Sequence, residues 1–467
     1  MSVIPNVLAQ RYASADMVEL WSAERKIVLE RRLWIAVLRA QRDLGVAVPD
    51  GAIEAYEAVV EKVDFDSIEA RERVTKHDVK ARIEEFSELA AGHEHVHKGM
   101  TSRDLTENVE QLQLRDALGI VRDRCVAALA RLAARAGEFS DVVMVGRSHN
   151  VPAQATTLGK RFANAGEELL VAYERLESLL ATYPLRGIKG PVGTQQDQLD
   201  LMGGDAIKVA ELEARVAAHL GFGRVLTSVG QVYPRSLDFD VVAALVQAAA
   251  APSSLCTTIR LMAGHGLATE GVREGQVGSS AMPHKVNSRS SERVNGLAVV
   301  LRGCLAMVAE LAGDQWNEGD VSCSVVRRVA LPDAFFAAEG LFVTFLSVLD
   351  GFTADRDLIE TEVATHLPYL ATTKVLLALV DAGLGREEAH EVVRGHALAS
   401  AGGSDLIDRL AADPVVRLDR AALDSALADR TALVGTASTQ VASVATRIAA
   451  VVERHPEAAT YNPGEIL

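Results

Sequence analysis

Aromatic residues are scarce, with Phe, Trp and Tyr together making 4% of the 467 residues. Ala and Leu are abundant instead, and their high helix propensity argues against a sheet-dominated chain and predicts a mainly α fold. Cysteine is rarer still, at Cys125, Cys256, Cys304 and Cys323. None belongs to a CxxC pair, so nothing points to a zinc site or a disulfide framework, and reduced thiols in a cytoplasmic protein are expected. Positive charge is in deficit: 48 Lys and Arg against 63 Asp and Glu leave a formal net charge of −15. That balance speaks against nucleic acid as a partner, although a local cluster of donors could still hold a phosphorylated metabolite. The opening MSVIPNVLAQRYASADM has no basic stretch followed by an apolar run, so no signal peptide is expected. No uninterrupted run of about 18 apolar residues occurs, so no membrane span is expected either. There is no G-x-S-x-G elbow and no Walker A loop. Gly278 and Lys285 only imitate the latter, because Lys285 follows His284 and precedes Val286.

What is present is an ordinary globular balance, 49% hydrophobic and 24% charged. At roughly 150 residues per unit the length suggests about three units. Apolar periodicity predicts a helix over Met17–Gly45, a turn at Pro49-Asp50-Gly51, and shorter helices to Ala91. Gly92 and Gly99 bracket a His-rich loop. Asp104 is read as the cap of a long helix from Leu105 to about Gly137, and a second long helix fits Ala153–Tyr183. A Gly- and Pro-rich connector follows to Gly204. Phe239–Ala251 is apolar almost all round and should be buried on most sides, with a kink at Pro252. Gly264–Gly278 holds five glycines, and its end is expected to be a mobile loop. Long helices resume over Ser290–Gly313 and Leu331–Gly351, and shorter ones follow, broken at Gly402-Gly403 and Pro414. The expected division is 1–104 for a helical N-terminal domain, 105–352 for a central bundle of long helices, and 353–467 for a helical C-terminal domain. Long helices with buried polar loops suit an oligomer.

Several segments could carry chemistry. Gly278–Asn287 (GSSAMPHKVN) combines two hydroxyls, Ser279 and Ser280, with the Lys285 cation and the Asn287 amide. A positioned cation and amide stabilise charge that develops on a carboxylate when the neighbouring carbon loses a proton. Two hydroxyls and a lysine alone would also suit a surface loop. In Gly146-Arg147-Ser148-His149, His149 could protonate a leaving nitrogen near neutral pH, or serve only structure. Lys76-His77-Asp78 stands where a helix should begin, as a cap or as part of a site. Met100-Thr101-Ser102-Arg103-Asp104 stands at another helix start, a natural anion site. Ser324 and Arg328, four apart, would share a helix face, and Arg328 suits bidentate binding of phosphate or carboxylate. His93-Glu94-x-x-His97 fits a zinc metalloprotease pattern, but this needs a stable helix and a third ligand that the sequence does not announce.

The full spelling of Gly278–Asn287 resembles the signature loop of the fumarase/aspartase superfamily, and with the other segments it resembles the adenylosuccinate lyase family, most closely its bacterial members. The resemblance runs from Arg11-Tyr12 to the C-terminal region. It implies a mainly α, three-domain fold with a central bundle of long helices. It also implies β-elimination of fumarate from adenylosuccinate, giving AMP, and from the succinylated aminoimidazole carboxamide ribotide. By the resemblance Ser279 is the general base, with Ser280 as runner-up, and Lys285 and Asn287 hold the succinyl carboxylates. His149 is the general acid. Lys76, His77, Asp78, His97, Thr101 and Ser102 belong to the site, as do Gln231 and Arg235 in Gln231–Arg235 (QVYPR), and Ser324 and Arg328. Arg11 and Tyr12 reach the nucleotide phosphate. A cytoplasmic homotetramer with sites shared between subunits is implied, without metal, cofactor, nucleic acid or membrane. The chain departs from the family at Ser148 (usually Thr), Val151 (usually Gln, which Gln154 could replace), Ala155 (usually Pro) and Gly319 (usually Arg). Another lyase or cycloisomerase of the superfamily is the nearest alternative. A zinc protease or a non-catalytic helical scaffold is more distant.

Overall fold

The computed structural model describes residues 4–271, 281–282, 284–320, 322–400 and 405–464. Its frame is a bundle of long helices: Ser102–Glu138, Leu158–Thr182, Arg289–Leu311 and Cys323–Gly351, with Ser236–Ala248 and Ala250–Gly264 beside them. The break between the last two, at Ala249, lies just ahead of Pro252, where a kink is expected.

The 37-residue helix Ser102–Glu138 begins three residues before the expected Leu105. Thr101 is the extended N-cap, and Asp104 is the third helical residue, whose carboxylate accepts the Thr101 N–H at 2.9 Å. Asp104 thus closes a capping box from inside the helix. The Cys323–Gly351 helix also starts earlier than Leu331, because Pro332 lies within the helix and does not open it. Every residue from Ala334 to Leu346 is buried, so this helix has no solvent face along that stretch. The Ser236–Ala248 helix, by contrast, leaves Phe239 exposed, and Ala250 beyond it is exposed too.

The helix expected over Ala153–Tyr183 begins only at Leu158. The residues before it form an antiparallel hairpin, β1 (Val143–Ser148) with β2 (Val151–Thr157), in register Val143↔Thr157 and Ser148↔Val151. A Cβ on Gly146 would lie 2.5 Å from the Gln154 carbonyl, and the register slips at this glycine. A second, two-residue ladder joins β3 (Ala268–Thr269) to β4 (Thr353–Ala354). The end of the Gly264–Gly278 stretch, expected to be a mobile loop, lies outside the described residues beyond Gly271.

One core runs from Leu33 and Trp34 of the Ala23–Asp43 helix through the bundle to Val441, Ile448 and Val451 of the Ala437–Arg454 helix. A separate small core joins Val375, Leu379, Leu406, Leu410 and Leu423. The expectation of no membrane-length apolar segment needs correction. Ser236–Gly264, Arg289–Leu311, Cys323–Gly351 and Arg356–Asp381 are each long and apolar enough to cross a membrane by length and composition alone. Counting uninterrupted runs passes over them because isolated charges punctuate each one. Inside the bundle, most of the apolar stretch of Cys323–Gly351 is packed against its neighbours, whereas most of that in Arg356–Asp381 stays open.

Phe342 has no exposed surface. Phe342→Ala should therefore cost about 3–5 kcal/mol, from lost transfer energy and the cavity left behind. Chemical denaturation would measure it, and a loss below about 1 kcal/mol would mean that the helix is not packed on all sides.

Candidate active site

The start of the Ser102–Glu138 helix is tied down by Asp104, which is fully buried. Its Oδ1 accepts from Arg186 Nη1 at 2.6 Å, from the Lys189 N–H at 2.8 Å and from the Gly190 N–H at 3.0 Å. Arg186 Nη2 goes on to the Gly230 carbonyl at 2.9 Å. One carboxylate therefore links the Thr101-Ser102 turn to the segment carrying Gln231. That segment crosses Glu318–Gly319 at contact distance: a Cβ on Gly230 would lie 2.0 Å from the Glu318 carbonyl, and one on Gly319 would lie 2.6 Å from Gln231 Cβ. Here the family's usual Arg could not be accommodated without displacing Gln231. The departure at Gly319 and the position of Gln231 are two sides of one contact.

Arg103 completes this cluster. Its Nη2 donates to Ser324 Oγ at 3.1 Å and its Nη1 to Glu107 Oε1 at 3.2 Å. Arg103, beside Thr101 and Ser102 in sequence, thus reaches Ser324, a cation contact that the sequence reading passed over. The signal for it was a basic residue inside Thr-Ser-x-Asp at a helix start. Arg328 is exposed on the same helix as Ser324. Arg235 is different: it is buried, with Nη2 on Glu107 Oε1 at 2.9 Å, so in this chain it faces the bundle interior and not open space.

His97 adopts a left-handed backbone (φ 67°), and Trp34 Nε1 donates to its Nδ1 at 3.0 Å. With Nδ1 accepting, the ring proton of neutral His97 is assigned to Nε2. Burial pushes its pKa down to about 4, with His77 adding to the effect and Asp104 opposing it. His77 caps the Asp78–Leu89 helix, its Nδ1 accepting the Lys80 N–H at 3.2 Å, while Lys76 closes the preceding helix in a left-handed conformation. Against the upward push of burial, Arg82 and the Val79 N–H hold the Asp78 carboxyl below its ordinary range. The zinc-protease pattern lacks its helix: His93 to His97 run through turns after left-handed Ala91 and Gly92.

Tyr12 packs against Gly340, where a Cβ would come within 2.7 Å of Tyr12 Cβ, and the Arg293 guanidinium stands 5.4 Å from the Tyr12 ring centroid. Burial lowers the Arg293 pKa; Tyr12 opposes the shift, and Arg11 and Arg289 add like charge. Three arginines therefore converge at Tyr12, two of them absent from the sequence reading. Their signal was the four-residue spacing of Arg289 and Arg293 on one helix face.

His149 is exposed at the tip of the β1–β2 hairpin and bonds to none of the other predicted site residues among those described. Val151 beside it is 60% exposed, and Gln154, the possible stand-in for the missing Gln, donates instead to Thr373 Oγ1 at 2.9 Å. Lys285 is exposed and Asn287 half-buried. Ser279 and Ser280 lie outside the described residues.

A family model described as lyase matches residues 15–303, and one described as adenylosuccinate lyase C-terminus matches residues 368–444. An adenylosuccinate lyase of Saccharomyces cerevisiae is 36% identical over 93% of this chain and 92% of its own length. One from Archaeoglobus fulgidus is 31% identical over 88% and 91%. Among solved structures, a 3-carboxy-cis,cis-muconate lactonizing enzyme from Pseudomonas putida matches with a TM-score of 0.80 at 22% identity, covering 95% of this chain and 99% of that one. A fumarate lyase from Mesorhizobium sp. BNC1 matches with a TM-score of 0.79 at 21% identity, covering 95% and 100%. The mainly α, fumarase-like fold is thereby shown.

The neutrality of His97 has a measurable consequence. Its pKa is about 4 in the fold against an ordinary imidazole value of 6.5. As pH falls, the unfolded chain takes up this proton first, so the stability that neutral His97 contributes is complete above about 6.5 and is lost as pH drops towards 4. The stability gap between the parent and His97→Gln should therefore narrow between pH about 7.5 and about 4.5 in paired denaturation curves. A gap independent of pH would show that the ring is not held neutral.

Proposed function

The chain belongs to the adenylosuccinate lyase family of the fumarase/aspartase superfamily, and from this premise we propose that it cleaves adenylosuccinate to AMP and fumarate. The observation that carries the reading is likeness to an adenylosuccinate lyase along 93% of the chain, with the loop Gly278–Asn287 and His149 retained. The succinylated aminoimidazole carboxamide ribotide is a second substrate by the same chemistry. Ser279 takes the proton from the succinyl Cβ, the C–H electron pair becomes the fumarate double bond, and the C–N bond breaks. His149 gives its proton to the departing nitrogen. Lys285 and Asn287 stabilise the charge that builds on the succinyl carboxylate as the proton leaves.

The remaining groups bind. Thr101 and Ser102 offer the helix-start N–H groups and hydroxyls to a carboxylate, with Gln231 and Ser324 alongside. His97 offers its Nε2–H without charge. Arg11 and Tyr12, with Arg289 and Arg293 close by, form the phosphate end, and His77 and Arg328 flank the substrate. Lys76 and Asp78 act from the same turn, and Arg235 acts from the interior, by fixing Glu107 and the residues after Gln231. The chemistry assigned to these residues calls on no metal or cofactor, and the protein works in the cytoplasm.

We also propose a homotetramer with sites shared between subunits. In one chain, among the described residues, no hydrogen bond or ion pair joins His149 to the Thr101–Ser324 cluster. Val299, Val300 and Met307 on Arg289–Leu311, and Val325 and Val329 on Cys323–Gly351, form exposed apolar surface that a neighbouring copy would cover.

Purified protein given adenylosuccinate should release fumarate and AMP in equal amounts, followed by absorbance or chromatography. Failure to turn over either succinylated ribotide would sink the assignment. Ser279→Ala and His149→Gln proteins, each far slower than the parent alone, should regain part of the parental rate when mixed under conditions that exchange subunits. No recovery after proven exchange would count against shared sites.

A further inference from the structure

The hairpin that carries His149 needs outside support. A lone two-stranded hairpin is marginal in water. Its two-residue turn puts His149 (φ 51°) and Asn150 (φ 63°) in the left-handed region, which most side chains avoid, although Asn visits it more readily. The support comes largely from the Arg356–Leu370 helix. Val145 of β1 is fully buried with Val363 and Leu370 of that helix, and Val143 packs against the same cluster. Nearer the tip, Arg147 Nη2 donates to Glu362 Oε1 at 2.5 Å, while Nη1 reaches the Asn150 carbonyl of the turn at 3.5 Å, the outer limit of a hydrogen bond.

Two further bonds act on the same hairpin. Arg161 Nη2 donates to the Val145 carbonyl at 3.1 Å, and Gln154 holds Thr373 on the Thr372–Asp381 helix. Behind the pair a cavity of about 410 Å³ is lined by Arg147, Asn150, Arg161 and Glu362 among others. Here the hairpin is held by directed bonds and not by close packing. Glu362 Oε2 is buried with no hydrogen-bond partner among the described residues; Arg147 is the cation hydrogen-bonded to this carboxylate, and Arg161 faces it through space. Without Glu362 the Arg147 guanidinium, about one-fifth exposed, would stay solvated but lose the acceptor that fixes its direction.

We propose that Arg147 and Glu362 are a positioning pair for His149: the carboxylate on the Arg356–Leu370 helix fixes, through the guanidinium, the turn that presents the imidazole to the leaving nitrogen. The inference rests on the reading of His149 as the general acid. Neither member of the pair need touch substrate. The C-terminal helices thereby set where the proton is delivered.

The test is steady-state kinetics of Glu362→Gln, of the charge swap Arg147→Glu/Glu362→Arg, and of Glu362→Gln in a His149→Gln background. Misplacing the acid should lower kcat about 10- to 100-fold in Glu362→Gln, with KM changed less than about twofold and melting temperature near the parental value. The swap should recover part of the rate. In the His149→Gln background the second substitution should change little, because the group it positions is gone. Parental kcat in Glu362→Gln beside a slow His149→Gln would overturn the pair and leave the acid assignment standing. Equal rate losses in both backgrounds would also overturn it, since they mark a structural effect independent of His149. A fully active His149→Gln protein would overturn the acid assignment and the pair together. Should Glu362→Gln melt early, Arg147→Lys keeps the charge but not the two-pronged reach, and its kinetics are read the same way.

Discussion

A chain of buried arginines and carboxylates sets the register of the bundle. Arg327, on Cys323–Gly351, donates Nε to Asp238 Oδ2 at 2.7 Å and also bonds Glu110 and the Tyr233 hydroxyl. Tyr233 in turn donates its hydroxyl to Asp238 Oδ1 at 2.7 Å and its N–H to Glu107 Oε2 at 3.1 Å. Arg235 closes the set on Glu107. Charges this far from water are tolerable only when paired, and a one-residue rotation of any contributing helix would unpair several of them. The network therefore fixes how Ser102–Glu138, Ser236–Ala248 and Cys323–Gly351 face one another. Arg327 points inward and its neighbour Arg328 outward, so the same register that satisfies the interior sets which residues of this helix reach the surface. Ser324, one turn earlier, meets Arg103 for the same reason.

Much of this was legible in the sequence where the chemistry is written in contiguous strings. Gly278–Asn287, Lys76–Asp78, Thr101–Asp104 and Gln231–Arg235 each stand out as short runs, and periodic apolar residues mark the long helices. What escaped depends on partners far away in the chain. Asp104 looks like a simple cap because Arg186, Lys189 and Gly190 lie more than eighty residues on. Arg235 looks like a ligand because Glu107, which removes it from the surface, lies 128 residues before it. The hairpin from Val143 to Thr157 escaped because Ala and Gln in β2 favour a helix locally, while the packing of Val143 and Val145 on a helix two hundred residues later decides for strands. The helix expected from Leu331 starts at Cys323 instead, with Pro332 inside it.

Two substitutions against the family pattern have different structural weight. Gly319 is enforced by its crossing with Gly230 and Gln231, where backbone and side chain approach too closely for a Cβ. Arg103, bonded to Ser324, is the cation the chain presents at the start of the Ser102–Glu138 helix instead. Val151 is merely exposed, and Gln154 is committed to Thr373. The first departure reshapes the cluster around the Thr101-Ser102 turn. The second leaves the face around His149 less polar.

The Trp34–His97 bond also bears on how the site responds to its surroundings. With Nδ1 already engaged, the ring has one proton to offer and no charge to accompany it. A lone pair that reaches Nε2 meets a donor whose strength does not fall with ionic strength, whereas contacts to Arg11, Arg289, Arg293 and Arg328 weaken as counterions accumulate. Under the proposed binding roles, recognition has a salt-sensitive part on helices and a salt-indifferent part on the turn that carries His97. Concentrated electrolyte would strip away the first and leave the second as the remaining determinant of fit.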